Sequence, residues 1–336
     1  MPAASILIKP ASANCNMDCK YCFYKCLSSH REEYSKGFMQ EETLETLVRE
    51  AIAYADGSLT FAFQGGEPTL AGLDFFQKAV ELQQKYNNKK LQIENTIQTN
   101  GLLIDEKWAR FLGEHRFLVG LSLDGPKKMH DRYRKDAAGQ DTFARIMHSV
   151  QLLEQYHVDY NVVTVVTNDT AKQASFLYKF WKRNHYPFVQ FIPCMDEIKR
   201  QDGTQERSIY AVEPEQYGKF LCELFDLWYA DFVAGETMDI RMFSNLAQMA
   251  AGYPAEECGM NGCCNCYFVV EGDGSVYPCD FYCMDAWKLG TVKDGFVQMK
   301  TSEKAKAFVE ASRPVCATCH ECPYFSLCRG GCRRWR

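Results

Sequence analysis

Residues 5–24, SILIKPASANCNMDCKYCFY, place three cysteines shortly after an apolar segment of strand length. Cys15, Cys19 and Cys22 form the spacing C-x3-C-x2-C on one loop. Three thiolates at this spacing can bind three irons of a [4Fe–4S] cluster and leave the fourth iron without a protein ligand. An open metal position is typical of a catalytic site, whereas a closed position serves structure. A structural zinc site that adds Cys26 as a fourth thiolate is the alternative.

The composition of the chain indicates a globular protein and disfavours several other classes. Of its 336 residues, 46% are hydrophobic and 24% are charged, which are ordinary values for a globular protein. The net charge of −5 disfavours a general nucleic-acid binder, so no nucleic-acid partner is expected. The sequence has no apolar run of about 18 residues and no secretory signal. We therefore expect a cytoplasmic protein without a membrane partner.

Cysteine is the unusual feature of the composition. The chain has 17 cysteines, and an odd number cannot pair completely into disulfides. Four lie between residues 15 and 26, two between 27 and 257, and eleven between 258 and 332. In a large chain from a reducing compartment, cysteines are more often metal ligands than disulfide partners. The distribution predicts two metal-binding regions separated by a large domain.

Short apolar segments alternate with helix-periodic segments through the first two-thirds of the chain. The predicted strands, most of them rich in β-branched or aromatic residues, are Ser5–Lys9, Leu59–Gln64, Gln92–Gln98, Leu118–Leu123, Asn161–Val166 and Val189–Pro193. The predicted helices are Glu41–Ala55, Leu73–Gln84, Glu106–Leu112, Phe143–Tyr156, Ala174–Arg183 and Pro214–Ala234. This alternation predicts an α/β fold with a parallel sheet, either doubly wound or curled into a barrel. The aromatic stripe of the last helix is expected to pack in the core.

The composition changes near residues 235–255, where we place a domain boundary. Residues 251–266, AGYPAEECGMNGCCNC, are rich in Gly and Cys and lack periodicity. Residues 271–280, EGDGSVYPCD, predict a hairpin with a Gly-Asp-Gly turn. Residues 313–336 have too few aliphatic side chains to build a core without bound metal. A zinc-ribbon-like structural domain is the alternative for this region.

The segment CNMDCKYCFY after the first strand resembles the radical S-adenosylmethionine (SAM) superfamily, whose members usually have an aromatic residue before the third cysteine. The resemblance implies a partial (β/α)6 TIM-like barrel and a [4Fe–4S] cluster that cleaves SAM to a 5′-deoxyadenosyl radical. It extends to QGGEP at the end of the second strand and to LSLDGP at the end of the fourth. It further implies that the SAM amino group is bound by Gly65, Gly66 and Glu67, and the SAM carboxylate by Ser122 and Arg134. The alternatives to SAM binding are that GGEP is a plain turn and that Arg134 is a solvated surface arginine.

The later cysteines resemble a SPASM domain, an extension of radical SAM enzymes that holds two auxiliary [4Fe–4S] clusters. The spacing C-x2-C-x5-C-x3-C at residues 319–332 supports this resemblance. It implies that the first auxiliary cluster is bound by Cys258, Cys264, Cys279 and Cys332, and the second by Cys319, Cys322 and Cys328. Cys263 and Cys266 are alternative candidates for the ligand position given to Cys264. In the family, the fourth ligand of the second cluster lies beyond the C-x3-C. We therefore expect a truncation at Arg336. The alternatives are that Cys316 takes the place of the fourth ligand or that the second cluster is incomplete.

Longer stretches resemble one group within the superfamily, the anaerobic sulfatase-maturating enzymes. These stretches include LIKPASANCNMDCKYCFY (7–24), FAFQGGEPTLAG (61–72), FLVGLSLDGP (117–126) and FVVEGDGSVYPCDFY (268–282). The resemblance implies a radical SAM oxidoreductase that abstracts a Cβ hydrogen and converts Cys or Ser in the C/S-x-P-x-R motif of a sulfatase to Cα-formylglycine. It implies a radical SAM domain at 1–235 and a SPASM-like domain at 236–336.

This oxidation needs a base and a path for the substrate peptide. Asp280, directly after Cys279, is the candidate catalytic base, with a turn-capping role as the alternative. Tyr24 and Gln64 are candidates to line the peptide path. The expected partners are an unfolded or nascent sulfatase polypeptide and an electron donor such as flavodoxin or ferredoxin. The alternative functions are thioether or crosslink formation by another SPASM enzyme, and non-enzymatic electron transfer or scaffolding by an iron–sulfur or zinc protein.

Overall fold

The computed structural model describes residues 3–198, 207–236 and 238–336. The chain forms two compact units that alternate along the sequence. The first unit comprises Met1–Asn14, Leu27–Ile97 and Asn245–Arg336, and the second comprises Cys15–Cys26 and Gln98–Ser244. The C-x3-C-x2-C loop therefore belongs to the second unit, and the later cysteine-rich region belongs to the first.

The strands begin and end close to the positions that the sequence predicts. They are β1 (Ala4–Ile8), β2 (Ser58–Phe63), β3 (Gln92–Thr99), β4 (Leu118–Ser122), β5 (Tyr160–Val166), β6 (Phe188–Pro193), β7 (Asp239–Ile240), β8 (Val269–Val270), β9 (Ser275–Tyr277) and β10 (Gly290–Thr291). The six strands predicted from apolar segments are confirmed as β1 to β6, each within one residue at either end. The predicted hairpin is formed by β8 and β9, which pair antiparallel.

In the first unit, a parallel sheet brings several chain segments to one edge. β2 pairs in parallel with both β1 and β3. β8 also pairs in parallel with β1, and β9 and β10 continue the sheet as antiparallel strands. Since β1, β2 and β8 run in the same direction, the residues that follow them, Lys9, Gln64 and Glu271, lie at the same edge of the sheet.

In the second unit, β4, β5, β6 and β7 pair in parallel and in chain order. Among the described strands, β7 has β6 as its sole neighbour. The sheet is therefore open at β7, as a partial barrel requires. Ser122 ends β4, so its side chain belongs to the carboxyl edge of this parallel sheet, where α/β barrels place their active sites.

The helices of the described residues are α1 (Phe23–Ser29), α2 (Glu41–Tyr54), α3 (Leu73–Tyr86), α4 (Glu106–Glu114), α5 (Lys127–Tyr133), α6 (Phe143–Gln155), α7 (Ala174–Arg183), α8 (Pro214–Val233), α9 (Arg241–Ala250), α10 (Phe296–Thr301), α11 (Glu303–Glu310), α12 (Ala317–Glu321) and α13 (Phe325–Cys328). The six predicted helices are confirmed within two residues at either end. The short helices that follow cysteines or connect strands were not predicted. None of the helices in the described part of the chain is long and apolar enough to cross a membrane.

The expectation that the aromatic stripe of α8 packs in the core is wrong for several of its rings. Phe220 is buried, but Phe225, Tyr229 and Phe232 are 42%, 52% and 56% exposed. Phe225 stacks on Tyr229 with ring centroids 5.8 Å apart, so the outer rings cover one another. Helical periodicity shows which residues share a face, but it does not show whether another element covers that face.

Candidate active site

A buried cluster of two cations and two carboxylates lies at the edge of the first unit's sheet. Lys9 Nζ lies 2.8 Å from Asp280 Oδ1 and 3.4 Å from Glu271 Oε1. Arg31 Nη2 lies 2.7 Å from Glu271 Oε1, and Ser12 Oγ donates to Glu271 Oε2 at 2.6 Å. The Lys9 and Glu271 side chains are 2% and 0% exposed. These charges are therefore compensated by one another and not by water.

The electrostatics of this cluster favour the charged forms of Glu271 and Lys9. Burial opposes ionisation of Glu271, but Lys9 and Arg31 outweigh it and lower the pKa of Glu271. Burial likewise opposes the charged form of Lys9, but Asp280, Cys283 and Glu271 outweigh it and raise the pKa of Lys9. The ammonium of Lys9 is thus a fixed charge at neutral pH.

Asp280, the predicted base, lies inside this cluster. It follows Cys279 directly, and its backbone N–H donates to Tyr267 Oη at 2.9 Å. Tyr267 Oη lies 3.6 Å from Cys279 Sγ. Gln64 Nε2 donates to Asp280 Oδ2 at 3.5 Å. The structure therefore brings Gln64 together with Asp280, the residue that follows the predicted cluster ligand Cys279.

The glycines of the GGEP segment allow the chain after β2 to approach the loop at residues 12–14. Gly65 has a φ of +116°, a conformation that favours glycine. Gly66 N donates to Ser12 O at 2.8 Å. A Cβ on Gly66 would overlap the carbonyl group of Asn14. Both glycines are therefore required by the backbone geometry, whether or not they also approach a ligand.

Glu67 is buried and fixes the turn that follows β2. Its backbone N–H donates to Asn14 O at 2.8 Å. Its carboxylate accepts hydrogen bonds from Thr69 N at 3.1 Å and from Thr69 Oγ1 at 2.6 Å. This short helical cap orients the carboxylate at the carboxyl end of β2.

The C-x3-C-x2-C loop of the second unit carries three thiols, of which Cys15 is exposed and Cys19 and Cys22 are partly exposed. Cys15 Sγ accepts from Met17 N at 3.4 Å and from Asn100 Nδ2 at 3.8 Å. Burial raises the pKa of Cys19 to about 12, while Arg134 acts in the opposite direction. Thiolates here need positive partners, and a cluster iron together with these N–H donors would supply them. The donor set therefore fits an iron–sulfur cluster.

Arg134 lies beside this loop in a buried ion pair. Its Nε lies 3.0 Å from Asp124 Oδ2, and its Nη1 lies 4.0 Å from Cys19 Sγ. Tyr21 Oη also donates to Asp124 Oδ2, and the Arg134 guanidinium lies 5.4 Å from the centroid of the Tyr21 ring. Asp124 Oδ1 accepts from Val165 N at 3.1 Å. Asp124 therefore holds one edge of a guanidinium whose other edge faces the cysteine loop.

The other predicted residues of the second unit are Ser122 and Tyr24. Ser122 Oγ accepts from Gln98 Nε2 at 3.2 Å. Tyr24 is partly exposed and packs on Phe23, with ring centroids 4.0 Å apart. Both side chains are placed by short-range contacts within this unit.

His130 is neutral because its hydrogen bonds require one tautomer. Its Nδ1 accepts from Asp124 N at 3.3 Å, and its Nε2 lies 3.0 Å from Thr142 Oγ1. Thr142 Oγ1 donates its proton to Arg134 O at 2.7 Å, so Nε2–H donates to Thr142. A proton on Nδ1 would face the Asp124 N–H. Burial accordingly lowers the pKa of His130 to about 4.

We expect His130 to make the fold less stable in acid. Because the folded pKa lies below the unfolded value, stability present above about pH 6.5 is lost as the pH falls towards 4. At pH 5 the loss is about 2 kcal/mol by linkage. This loss of stability is measured by comparing the thermal midpoints of the wild type and of His130→Gln at pH 7 and pH 5. The control is the same substitution at an exposed histidine, His148→Gln. Equal pH dependence in all three proteins would contradict a neutral buried His130.

Three of the predicted ligands of the first auxiliary cluster act on the pKa of the same side chain, Tyr282. Burial raises the pKa of Tyr282; Arg333 opposes this shift, and the thiols of Cys332, Cys279 and Cys264 add to it. A Cβ on Gly259 would lie 3.3 Å from Cys332 Cβ, so the chain beside the fourth predicted ligand, Cys258, also approaches Cys332. The two competitors of Cys264 have other neighbours. Cys266 is buried near Lys300, and Cys263 lies near Arg313.

The thiols predicted for the second auxiliary cluster are grouped around Cys319. Cys316 Sγ lies 3.4 Å from Cys319 Sγ. The hydrogen bond that Cys319 shares with Cys316 raises the pKa of Cys319, and the nearby charges of Cys328 and Cys322 add to this shift. The structure thus places Cys316 with the three predicted ligands.

No three Cys, His, Asp or Glu side chains within 3–198, 207–236 and 238–336 are grouped closely enough to hold a single metal ion. In a cubane cluster each thiolate binds a different iron, so the ligands stand farther apart than those of one zinc ion.

Comparison with known proteins matches both regions of the chain. The radical SAM superfamily model matches residues 10–179, and the model of an iron–sulfur cluster-binding domain, SPASM, matches residues 262–323. The cysteine-type anaerobic sulfatase-maturating enzyme of Clostridium perfringens (strain 13 / Type A) is 48% identical over 100% of this chain and 90% of that protein. The serine-type enzyme of Bacteroides thetaiotaomicron is 33% identical over 98% of this chain and 83% of that protein. The solved structure of native anSMEcpe with bound AdoMet and Cp18Cys peptide has a TM-score of 0.93 and 47% identity, covering 99% of this chain and 90% of that chain.

The fold, the thiol loop and these matches define a radical SAM enzyme with an iron–sulfur cluster-binding extension. Within that superfamily, the chain belongs to the anaerobic sulfatase-maturating enzymes. The predicted family, fold class, enzyme class and cofactor types are confirmed.

Several residues of the site were not singled out from the sequence. They are Lys9, Arg31 and Glu271, which form the buried charge cluster with Asp280. A signal for Lys9 was available, because a lysine that ends an apolar strand and precedes a proline needs a buried partner. No local sequence pattern shows that Arg31 and Glu271 lie in the same buried cluster as Lys9.

Proposed function

We propose that this chain oxidises the first residue of a C/S-x-P-x-R motif in a sulfatase polypeptide to Cα-formylglycine. The observation that carries the proposal is the 48% identity over the whole chain to a cysteine-type sulfatase-maturating enzyme. Identity to the serine-type relative is lower, at 33%, so we propose cysteine as the preferred target. The oxidation removes a hydrogen atom from Cβ, a proton from the thiol and one electron. Water then converts the thioaldehyde to the aldehyde and releases hydrogen sulfide.

The thiol loop, the GGEP segment, the end of β4 and Arg134 are proposed to hold the cofactors of the first step. Cys15, Cys19 and Cys22 would bind the cluster. The SAM amino group would meet the segment Gly65, Gly66 and Glu67, and the SAM carboxylate would meet Ser122 and Arg134. When bound, the cluster and SAM supply the 5′-deoxyadenosyl radical that removes the Cβ hydrogen. Arg134 suits this role because Asp124 holds its Nε edge and leaves a buried cation turned towards the cysteine loop.

Asp280 is the proposed base for the thiol proton. It is 5% exposed, and an ion pair with Lys9 and a long hydrogen bond from Gln64 hold it. A buried carboxylate in a fixed orientation can accept a proton without competition from water. Tyr24 and Gln64 are proposed to contact the peptide.

The electron is proposed to leave through auxiliary clusters held by the cysteine-rich region. Cys258, Cys264, Cys279 and Cys332 would bind the first cluster, since three of them act on the pKa of Tyr282 and the chain beside Cys258 approaches Cys332. Cys319, Cys322 and Cys328 would bind the second, and the position of Cys316 makes it a candidate for the remaining iron. We propose 1–235 as the radical SAM domain and 236–336 as the auxiliary-cluster domain. We also propose that the partners are an unfolded or nascent sulfatase and an electron donor such as flavodoxin or ferredoxin. The proposed location is the cytoplasm.

The test is anaerobic reconstitution with iron and sulfide, followed by SAM, a strong reductant and a short peptide carrying C-x-P-x-R. Mass spectrometry should show replacement of the thiol by an aldehyde, with hydrogen sulfide and 5′-deoxyadenosine formed. A matched peptide with serine should react more slowly. Formation of 5′-deoxyadenosine with an unchanged peptide would overturn the sulfatase substrate. Neither product, despite a full iron load, would overturn the activity.

A further inference from the structure

Lys9 is held by contacts on every part of its side chain. A Cβ on Gly65 would lie 3.0 Å from Lys9 Cγ and 3.1 Å from Lys9 Cβ, so the stem passes directly over this glycine. The ammonium contacts Asp280 Oδ1, Glu271 Oε1 and, at 3.6 Å, Cys283 Sγ. The residue thus joins the end of β1, the turn after β2 and the segment that carries Asp280. Few rotamers are compatible with these contacts.

The two cations of the cluster have different neighbours. Arg31 pairs with Glu271, and its Nε donates to the Cys283 carbonyl oxygen. Lys9 pairs with Glu271 and also with Asp280. Both cations compensate Glu271, but the ion pair to Asp280 comes from Lys9. The two roles can therefore be separated by substitution.

We propose that Lys9 is a positioning residue for the oxidation, holding Asp280 Oδ1 so that the carboxylate keeps one orientation towards the peptide thiol. The inference rests on the proposed function of Asp280. Without Lys9, a buried Asp280 loses its short ion pair, and the hydrogen bond from Gln64, at 3.5 Å, is too long to replace it. Removal of the Cβ hydrogen does not use Asp280, so it should continue. Removal of the thiol proton should slow.

The experiment compares two products in reconstituted holoenzyme. We expect Lys9→Met to lower aldehyde formation by about 10–100-fold, the range of a misplaced general base. Release of 5′-deoxyadenosine should fall by less than about threefold, and the KM for the C-x-P-x-R peptide should stay unchanged. The ratio of aldehyde to 5′-deoxyadenosine is therefore the readout. A structural role would lower both products together.

Matched variants separate positioning from charge loss. Arg31→Gln removes the other cation of Glu271 and should leave the product ratio at the wild-type value. Lys9→Arg retains a cation and should restore part of the ratio. Lys9→Met in an Asp280→Asn background should cause no further loss, because Lys9 acts through Asp280. If Lys9→Met does not fold, as judged by iron content, the charge-balanced Lys9→Met/Glu271→Gln variant is measured instead and should show the same lowered ratio.

The possible outcomes are distinct. A wild-type ratio in Lys9→Met, or in the charge-balanced variant, would overturn the inference while the wild-type activity stands. The same lowered ratio in Arg31→Gln would also overturn it, because the effect would then belong to the whole cluster. Absence of aldehyde from the wild type itself would overturn the proposed function.

Discussion

A Cys19→Ala chain is expected to release no measurable 5′-deoxyadenosine and therefore no aldehyde. Cys19 is the middle thiol of the C-x3-C-x2-C loop and lies beside Arg134. A cluster that lacks one thiolate ligand loses iron or changes its reduction potential. Since the cluster supplies the electron that cleaves SAM, no side chain can replace it. The measurement is chromatographic quantification of 5′-deoxyadenosine after anaerobic reduction with SAM. Iron and sulfide content per chain should fall by the equivalent of one cluster.

The matched control for this variant is Cys26→Ala. Cys26 lies on α1, four residues after the third cysteine of the loop, and would be the fourth ligand of a structural zinc site. Wild-type release of 5′-deoxyadenosine by Cys26→Ala agrees with an open three-cysteine cluster. Equal loss in both variants, together with bound zinc, would contradict it.

Asp280→Asn is expected to lower aldehyde formation by about 10²–10⁴-fold, the range contributed by a general base. The amide keeps the shape of the carboxylate, but it cannot take the thiol proton. Release of 5′-deoxyadenosine should continue in the presence of the peptide. Peptide mass spectrometry and 5′-deoxyadenosine release, measured in the same reaction, separate these steps.

Asp285→Asn is the control for this second substitution. Asp285 lies five residues further along the same segment, and its carboxylate accepts from Glu32 N at 2.9 Å in an exposed contact. Its replacement should leave both products at wild-type levels. If Asp280→Asn retains wild-type aldehyde formation, the base lies elsewhere, and the proposed role of Lys9 is lost with it.

The secondary structure could be predicted because its signals are local. A strand such as β2 is visible as a short apolar segment, and a helix such as α7 as a periodic one. The cysteine loop and the GGEP segment were equally visible, since their spacing is set within a few residues. The same locality explains the error at α8, because exposure of Phe225 and Tyr229 depends on what packs against them.

The sequence by itself determined the strands, the helices, the cysteine spacings and the family to which they belong. Only the tertiary structure decided that Lys9 meets Asp280, 271 residues away in the chain, and that Asp124 holds Arg134 beside Cys19. It also decided that the distant residues Gly259 and Cys332 approach one another. The physical reason is that backbone preferences and thiol spacing act over a few residues. A buried ion pair instead depends on which distant segments the sheet brings to one edge, and on burial that keeps water away from the charges.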